Sequence, residues 1–334
     1  MYSPEYGRQM NVSSLTILIR RWHLIVVSAI VLPLAACTSI RFGYNHADTL
    51  LIFRLDEYFD LEKTQKTLAK DRINALLAWH RATQLHAYSA LLDDIRTKAK
   101  GPMTPSEVTD FQQRINRRLE ILGERAAPEI ARLALTLKPN QIAQVQRELS
   151  DDNAQFRKKY GYLRNSTDNA PGAKAKLFIK RAEFWLGKLT DEQRTIIRNA
   201  IAGRDNGNYT WADEREARQR DFLALLSKIQ ERKPEERVAT DWIRTYFAEL
   251  ADQTDPQRRA YIQTLRQSNA ELIAKVITSA TPEQRAALDE KLQGYAADLA
   301  ALAGEDRRFG QWTFPSRPNE KLRGPETKSF RSSP

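Results

Sequence analysis

The apolar positions of this chain recur at three- and four-residue steps over most of its length. Leu68, Ile73, Leu76, Leu77, Leu91 and Ile95 are typical of one long stretch. That period lays an apolar stripe along one side of a helix, whereas a half-buried strand alternates at every second residue. No convincing run of alternating β-branched residues occurs. The pattern predicts helices near 44–58, 61–99, 105–136, 139–163, 173–188, 191–203, 211–231, 234–252, 256–279 and 282–302. The fold class that follows is all-α, a multi-helix antiparallel bundle.

Helix starts are marked by local chemistry. Thr104-Pro105-Ser106-Glu107 puts Thr at the N-cap, Pro at the first helical position and Glu at the third. Thr281-Pro282-Glu283-Gln284 and Thr190-Asp191-Glu192-Gln193 repeat the device with Gln. In each, the hydroxyl accepts a backbone N–H and the Glu or Gln reaches back to the N-cap amide. Asp255-Pro256 is a further start, and Asp60 is expected to cap the second helix. Pro128 is placed to kink the third. Breaks fall at Gly101-Pro102, at 165–172 and at 203–208, the middle one being the candidate domain seam. Residues 37–303 then form the helical domain. Beyond Gly304 the period stops, and 304–334 reads as a disordered basic tail.

The N-terminus departs from this pattern. Arg20 and Arg21 precede an apolar core, Leu24 to Leu32, and Pro33 breaks it. The core is shorter than the roughly 20 residues a membrane-spanning helix needs. It leads into Leu34-Ala35-Ala36-Cys37, and Cys37 is the only cysteine of the chain. A branched apolar residue, two small residues and a cysteine make a lipobox, the pattern of bacterial lipoproteins. That resemblance implies that residues 1–36 are a signal peptide, removed to leave Cys37 acylated and N-terminal. Thr38 in place of Asp favours the outer membrane, facing the periplasm. Met10 is an alternative start, since residues 1–9 add little to the signal.

Composition takes a different meaning behind such an anchor. The chain has 334 residues and a net charge of +11. Loss of residues 1–36 removes Arg8, Arg20, Arg21 and Glu5 and leaves +9. In a cytosolic protein that charge would point to nucleic acid; in an envelope protein the available polyanions are lipid phosphates, anionic polymers and acidic protein faces. The runs Arg157-Lys158-Lys159 and Lys174, Lys176, Lys180, Arg181 flank the 165–172 break and form a candidate anion-binding surface if they converge. Separate solvated charges are the competing reading. With no second cysteine there is no disulfide, so stability rests on packing.

One outline recurs. Leu61 to Gln65, Leu137 to Gln141 and Leu189 to Gln193 read Leu-x-x-x-Gln, and Ala280 to Gln284 is the same with Ala for Leu. Most of its positions are also what a helix N-terminus selects, so capping alone accounts for them. The spacings between copies are 76, 52 and 91 residues, too uneven for a solenoid. The Leu189 and Ala280 copies resemble the Leu-Thr-x-x-Gln signature of small periplasmic stress-response chaperones, all-helical basic proteins that bind unfolded clients. After the anchor come Tyr44-Asn45, an apolar stretch from Leu50 to Phe53, and Asp56-Glu57-Tyr58-Phe59-Asp60-Leu61. With Trp79-His80, this order resembles a proteobacterial lipoprotein family of unknown function, most sharply over 34–92. The resemblance implies a helical envelope lipoprotein and transfers no activity. Leu50 to Phe59 must pack in the core or lie on the membrane beside the anchor.

Recognisable catalytic chemistry is sparse. His80 and His86 are off the spacing that puts two ligands on one helix face, so neither a metal nor a cofactor is implied. Asp56, Glu57 and Asp60 lie near His46 in sequence and are the nearest thing to a polar site. The chain reads as a lipid-anchored envelope protein with a structural or binding role and no catalysis, its partner an envelope protein, anionic lipid or polymer. A chaperone-like client binder is the alternative. A hydrolase of envelope polymer ranks third, with Glu57 its first trial residue.

Overall fold

Three capping boxes closed by glutamine or glutamate organise the chain, and their geometry is as the sequence requires. Thr104 accepts the Glu107 N–H while Glu107 accepts the Thr104 N–H; Thr190 with Gln193 and Thr281 with Gln284 do the same. Asp255 accepts the Arg258 N–H. Thr210 with Asp213 forms a further box, closed by aspartate instead of glutamate or glutamine.

The computed structural model describes residues 40–160, 171–204 and 209–305, and all regular structure among them is helical. After a helical turn over 40–45 come α1 (Ala47–Phe59), α2 (Lys63–Thr83), α3 (Leu85–Lys98) and α4 (Pro105–Ala134). Then follow α5 (Pro139–Tyr160), α6 (Pro171–Leu186), α7 (Asp191–Ala202) and α8 (Trp211–Arg232). The last three are α9 (Glu236–Ala251), α10 (Pro256–Thr278) and α11 (Pro282–Glu305). The expected tail and most of the expected 165–172 seam lie outside the described residues.

Two expectations are corrected. The long helix expected over 61–99 divides at Gln84 into α2 and α3. Thr83 Oγ1 donates to the Trp79 carbonyl at 2.7 Å, and such back-bonding bends a helix. Asp60 does not cap α2. It sits in the left-handed region (φ 45°) as the C-cap of α1, and Glu62 is the N-cap of α2. Pro128 lies inside α4, which continues through it.

The helices share two hydrophobic cores. The first gathers Phe59, Ala127, Ala131, Val145, Ile229 and Ile243, from α1, α4, α5, α8 and α9, with Ala69 of α2. The second gathers Ile179, Ile197, Leu272, Leu288 and Leu292, from α6, α7, α10 and α11, with Val108 at the start of α4. At 30 residues, α4 is about 45 Å long and reaches both. Gly123 permits a close approach on α4: a Cβ there would sit 3.2 Å from the Phe247 ring of α9. A small third cluster, Leu85, Leu302 and Ala303, is covered by Ile40 and Tyr44 at the start of the described chain.

Candidate functional site

The four Leu-x-x-x-Gln segments meet in pairs. Gln65 Nε2 donates to Gln141 Oε1 at 3.0 Å, and Gln141 Nε2 donates back to Gln65 Oε1 at 2.8 Å. Gln193 and Gln284 exchange the same bonds at 2.7 and 2.9 Å. Each glutamine oxygen also accepts the N-cap amide of its own helix, from Glu62, Lys138, Thr190 and Thr281. Each amide nitrogen also donates to the carbonyl just before the partner copy's Leu or Ala: Thr136, Asp60, Ser279 and Lys188. All the bonding capacity of a primary amide is thereby engaged. The glutamines are 3%, 2%, 0% and 5% exposed, so an unmade bond would be costly. Capping is therefore half of the motif's role; the other half is a clasp between helices 76 or 91 residues apart.

Around each clasp the packing is the same. In the first lobe α1 packs on α2 and α5, and α2 packs on α4. In the second α6 packs on α7 and α11, and α7 packs on α10. The first lobe contains a cavity of ≈ 330 Å³, walled by Leu55, Phe59, Ala69, Leu137, Phe222 and Phe247 among others. Arg72 and Glu129 are its only charged lining. Glu129 accepts from Arg125 at 2.7 Å and from Arg132 at 2.6 Å. Burial would raise its pKa, but the two guanidiniums hold it below the ordinary glutamate value. Arg132 also pairs with Glu236 at 2.9 Å. Arg72 reaches Glu129 at 3.8 Å, beyond hydrogen-bond range, and its Nε has no hydrogen-bond partner.

A second buried acid joins the lobes. Glu214 of α8 is 0% exposed and accepts from Arg218, Tyr209 and Arg258 of α10. Burial pushes its pKa up, and those three bonds more than offset that, leaving it below the ordinary value. Tyr209 is pushed up to about 12 by burial and its bond to Glu214. His80 lies between two tyrosines, Tyr44 Oη at 2.8 Å from Nδ1 and Tyr88 Oη at 3.2 Å from Nε2. Burial lowers its pKa.

The segment from Phe42 through α1 is divided between two environments. Ile52, Leu55, Tyr58 and Phe59 face the first core, while Phe42, Leu50 and Phe53 are 67%, 56% and 66% exposed. Core packing thus holds for one side of the helix, and the other side leaves Leu50 and Phe53 exposed. The acids near His46 do not converge on it: Asp56 pairs with Lys66 at 2.8 Å, Glu57 with Arg54 at 2.5 Å, and His46 Nδ1 bonds the Phe42 carbonyl.

The candidate anion residues have separate settings. Arg157 of α5 pairs with Asp213 and Glu216 of α8 at 3.0 and 2.6 Å, with Lys158 and Lys159 exposed beside it. Lys174, Lys176, Lys180 and Arg181 lie on α6, which packs on α7 and α11, whereas α5 packs on α1 and α8. Burial, then Arg204, lowers the Lys174 pKa. Cys37 and the expected lipobox, Leu34, Ala35 and Ala36, lie outside the described residues. Among those residues no helix is long and apolar enough to cross a membrane, and no cluster of His, Cys, Asp and Glu could hold a metal ion.

A family model described as a family of unknown function, DUF6279, matches residues 57–245, more than half of the chain. The chain belongs to the DUF6279 family. The DUF6279 match contains the whole Gln65–Gln141 clasp and Gln193, and ends before Gln284. No curated protein and no solved structure matches the chain.

Proposed function

We propose that this DUF6279 member is a lipid-anchored, non-catalytic binding protein of the cell envelope, held by acylated Cys37 with the outer side of α1 against the bilayer. The observation that carries this reading is the exposed apolar side formed by Phe42, Leu50 and Phe53, directly downstream of the lipobox. Aromatic and aliphatic side chains of this kind suit the boundary between headgroups and acyl chains. The length of chain between anchor and fold agrees with it. Ile40 already packs with Leu85 and Leu302, and three residues span at most about 10 Å. The helical body would therefore sit on the membrane, facing the periplasm, with the outer membrane favoured by Thr38.

The test is fractionation together with mass spectrometry of the extracted protein. Acylation at Cys37 and loss of membrane retention in Cys37→Ser are expected. Leu50→Ser with Phe53→Ser should weaken retention of a form that lacks the acyl chains, measured by vesicle flotation. An unmodified N-terminus in the membrane fraction would overturn the anchor.

The client-binding alternative keeps a narrower form. The glutamines that prompted it are buried in the clasps, so a client would touch helix faces instead. Suppression of aggregation of an unfolded protein at stoichiometric ratio would favour it over a scaffold with one defined partner.

A further inference from the structure

We infer that the cavity of the first lobe is a binding site for a single acyl chain bearing a carboxylate, that is, a long-chain fatty acid. The inference deepens the binding reading above by naming a ligand class, and it does not depend on the anchor.

Volume and lining argue for the chain. The cavity is ≈ 330 Å³, and apart from Arg72 and Glu129 every lining residue is apolar. An apolar cavity of about 150 Å³ already stays dry and takes up benzene, so this one has room for a flexible aliphatic chain. A water-filled alternative would need polar partners that this wall lacks. Small-molecule sites share the design: an apolar hollow with a few polar groups that fix orientation.

Charge argues for the head. Three guanidiniums, Arg72, Arg125 and Arg132, surround Glu129, and Glu236 balances a second of them. One positive charge remains. Arg72 carries it, because Arg125 and Arg132 hold the Glu129 oxygens at 2.7 and 2.6 Å while Arg72 stays at 3.8 Å. Its side chain is 39% exposed and its Nε lacks a hydrogen-bond partner. A single carboxylate matches a guanidinium in charge and in the geometry of two parallel N–H bonds.

The second lobe indicates what makes the hollow. Four residues past each paired glutamine stands a buried side chain. In the second lobe these are Ile197 and Leu288; in the first they are Val145 and Ala69. Ala69 lines the cavity, so a larger residue there should fill it.

The experiment is native mass spectrometry of the full chain extracted from membranes and titrated with oleate or with the uncharged oleyl alcohol. One oleate per protein is expected. Ala69→Leu should abolish it, and Leu133→Phe serves as an independent filler of the same wall should Ala69→Leu fold poorly. Arg72→Met should weaken oleate about tenfold, the worth of a charged hydrogen bond, and leave the alcohol unchanged. Oleate uptake without saturation at one per chain, or uptake indifferent to both filling variants, would overturn the site. Membrane retention of the same variants separates the two readings. One-to-one oleate binding by a protein that is not retained sinks only the anchor, and a retained protein without it sinks only the acyl site.

Discussion

Ala69 and Val145 in the first lobe stand where Ile197 and Leu288 stand in the second, one turn beyond the paired glutamines. A turn further on, Ile201 and Leu292 are 5% and 3% exposed, while Ile73 and Leu149 are only half-buried. The reciprocal glutamine bonds are therefore shared between the lobes, and the apolar filling is not. A clasp needs only the reach of an amide and two helix N-termini, so it tolerates different cores around it. The filling sets whether a lobe is packed solid or left hollow, because protein interiors close to crystal density when the side chains are large enough.

The strongest way to break the comparison is to uncouple the lobes. Glu214→Gln should cost about 3–5 kcal/mol, because it removes the acidic partner of Arg218 and one of the two acidic partners of Arg258, and chemical denaturation should then resolve two transitions. Ile197→Ala should open in the second lobe the space that Ala69 leaves in the first, at about 2–5 kcal/mol. Hydrogen exchange should show the loss confined to α7, α10 and α11. Gln65→Ala and Gln193→Ala should each cost about 2 kcal/mol from stranded buried amides, with similar losses if the clasps are equivalent. Gln65→Ala with Gln141→Ala should cost less than the two separately, since the reciprocal bonds are lost once. Filling works in the other direction: Ala69→Ile should raise stability by about 1 kcal/mol, read as a higher midpoint.

The smallest effect expected is that of pH on His80. Its folded pKa is lowered by burial, so below the unfolded value of about 6.5 the unfolded chain binds a proton that the folded one refuses. Stability should fall as pH drops through that value, and the fall should shrink in His80→Gln. Above it, wild type and variant should show the same pH dependence.

Helices, their starts and the all-α class were legible in the sequence because they rest on contacts within four residues. Thr104, Thr190, Thr281 and Asp255 announce their caps by spacing alone. The two misplacements come from the same locality. Asp60 is a good N-cap by type, yet the chain needed its left-handed turn to end α1. The division at Gln84 arises from Thr83, which looked like any other residue of a long periodic helix. Of the site, the four glutamines were visible as a recurrence, but which pairs with which was not. The spacings alone left every pairing open.

By itself, then, the sequence determined short-range matters: helix period, caps, and an apolar segment around residues 50–59. Tertiary structure alone decided that Gln65 meets Gln141 and Gln193 meets Gln284, that Arg157 is engaged by Asp213 and Glu216, and that the space beside Ala69 stays open. The physical reason is range. A cap forms between residues three apart, whereas a clasp, an ion pair across helices and a cavity each depend on how whole helices pack, and packing is a property of every side chain in the lobe at once.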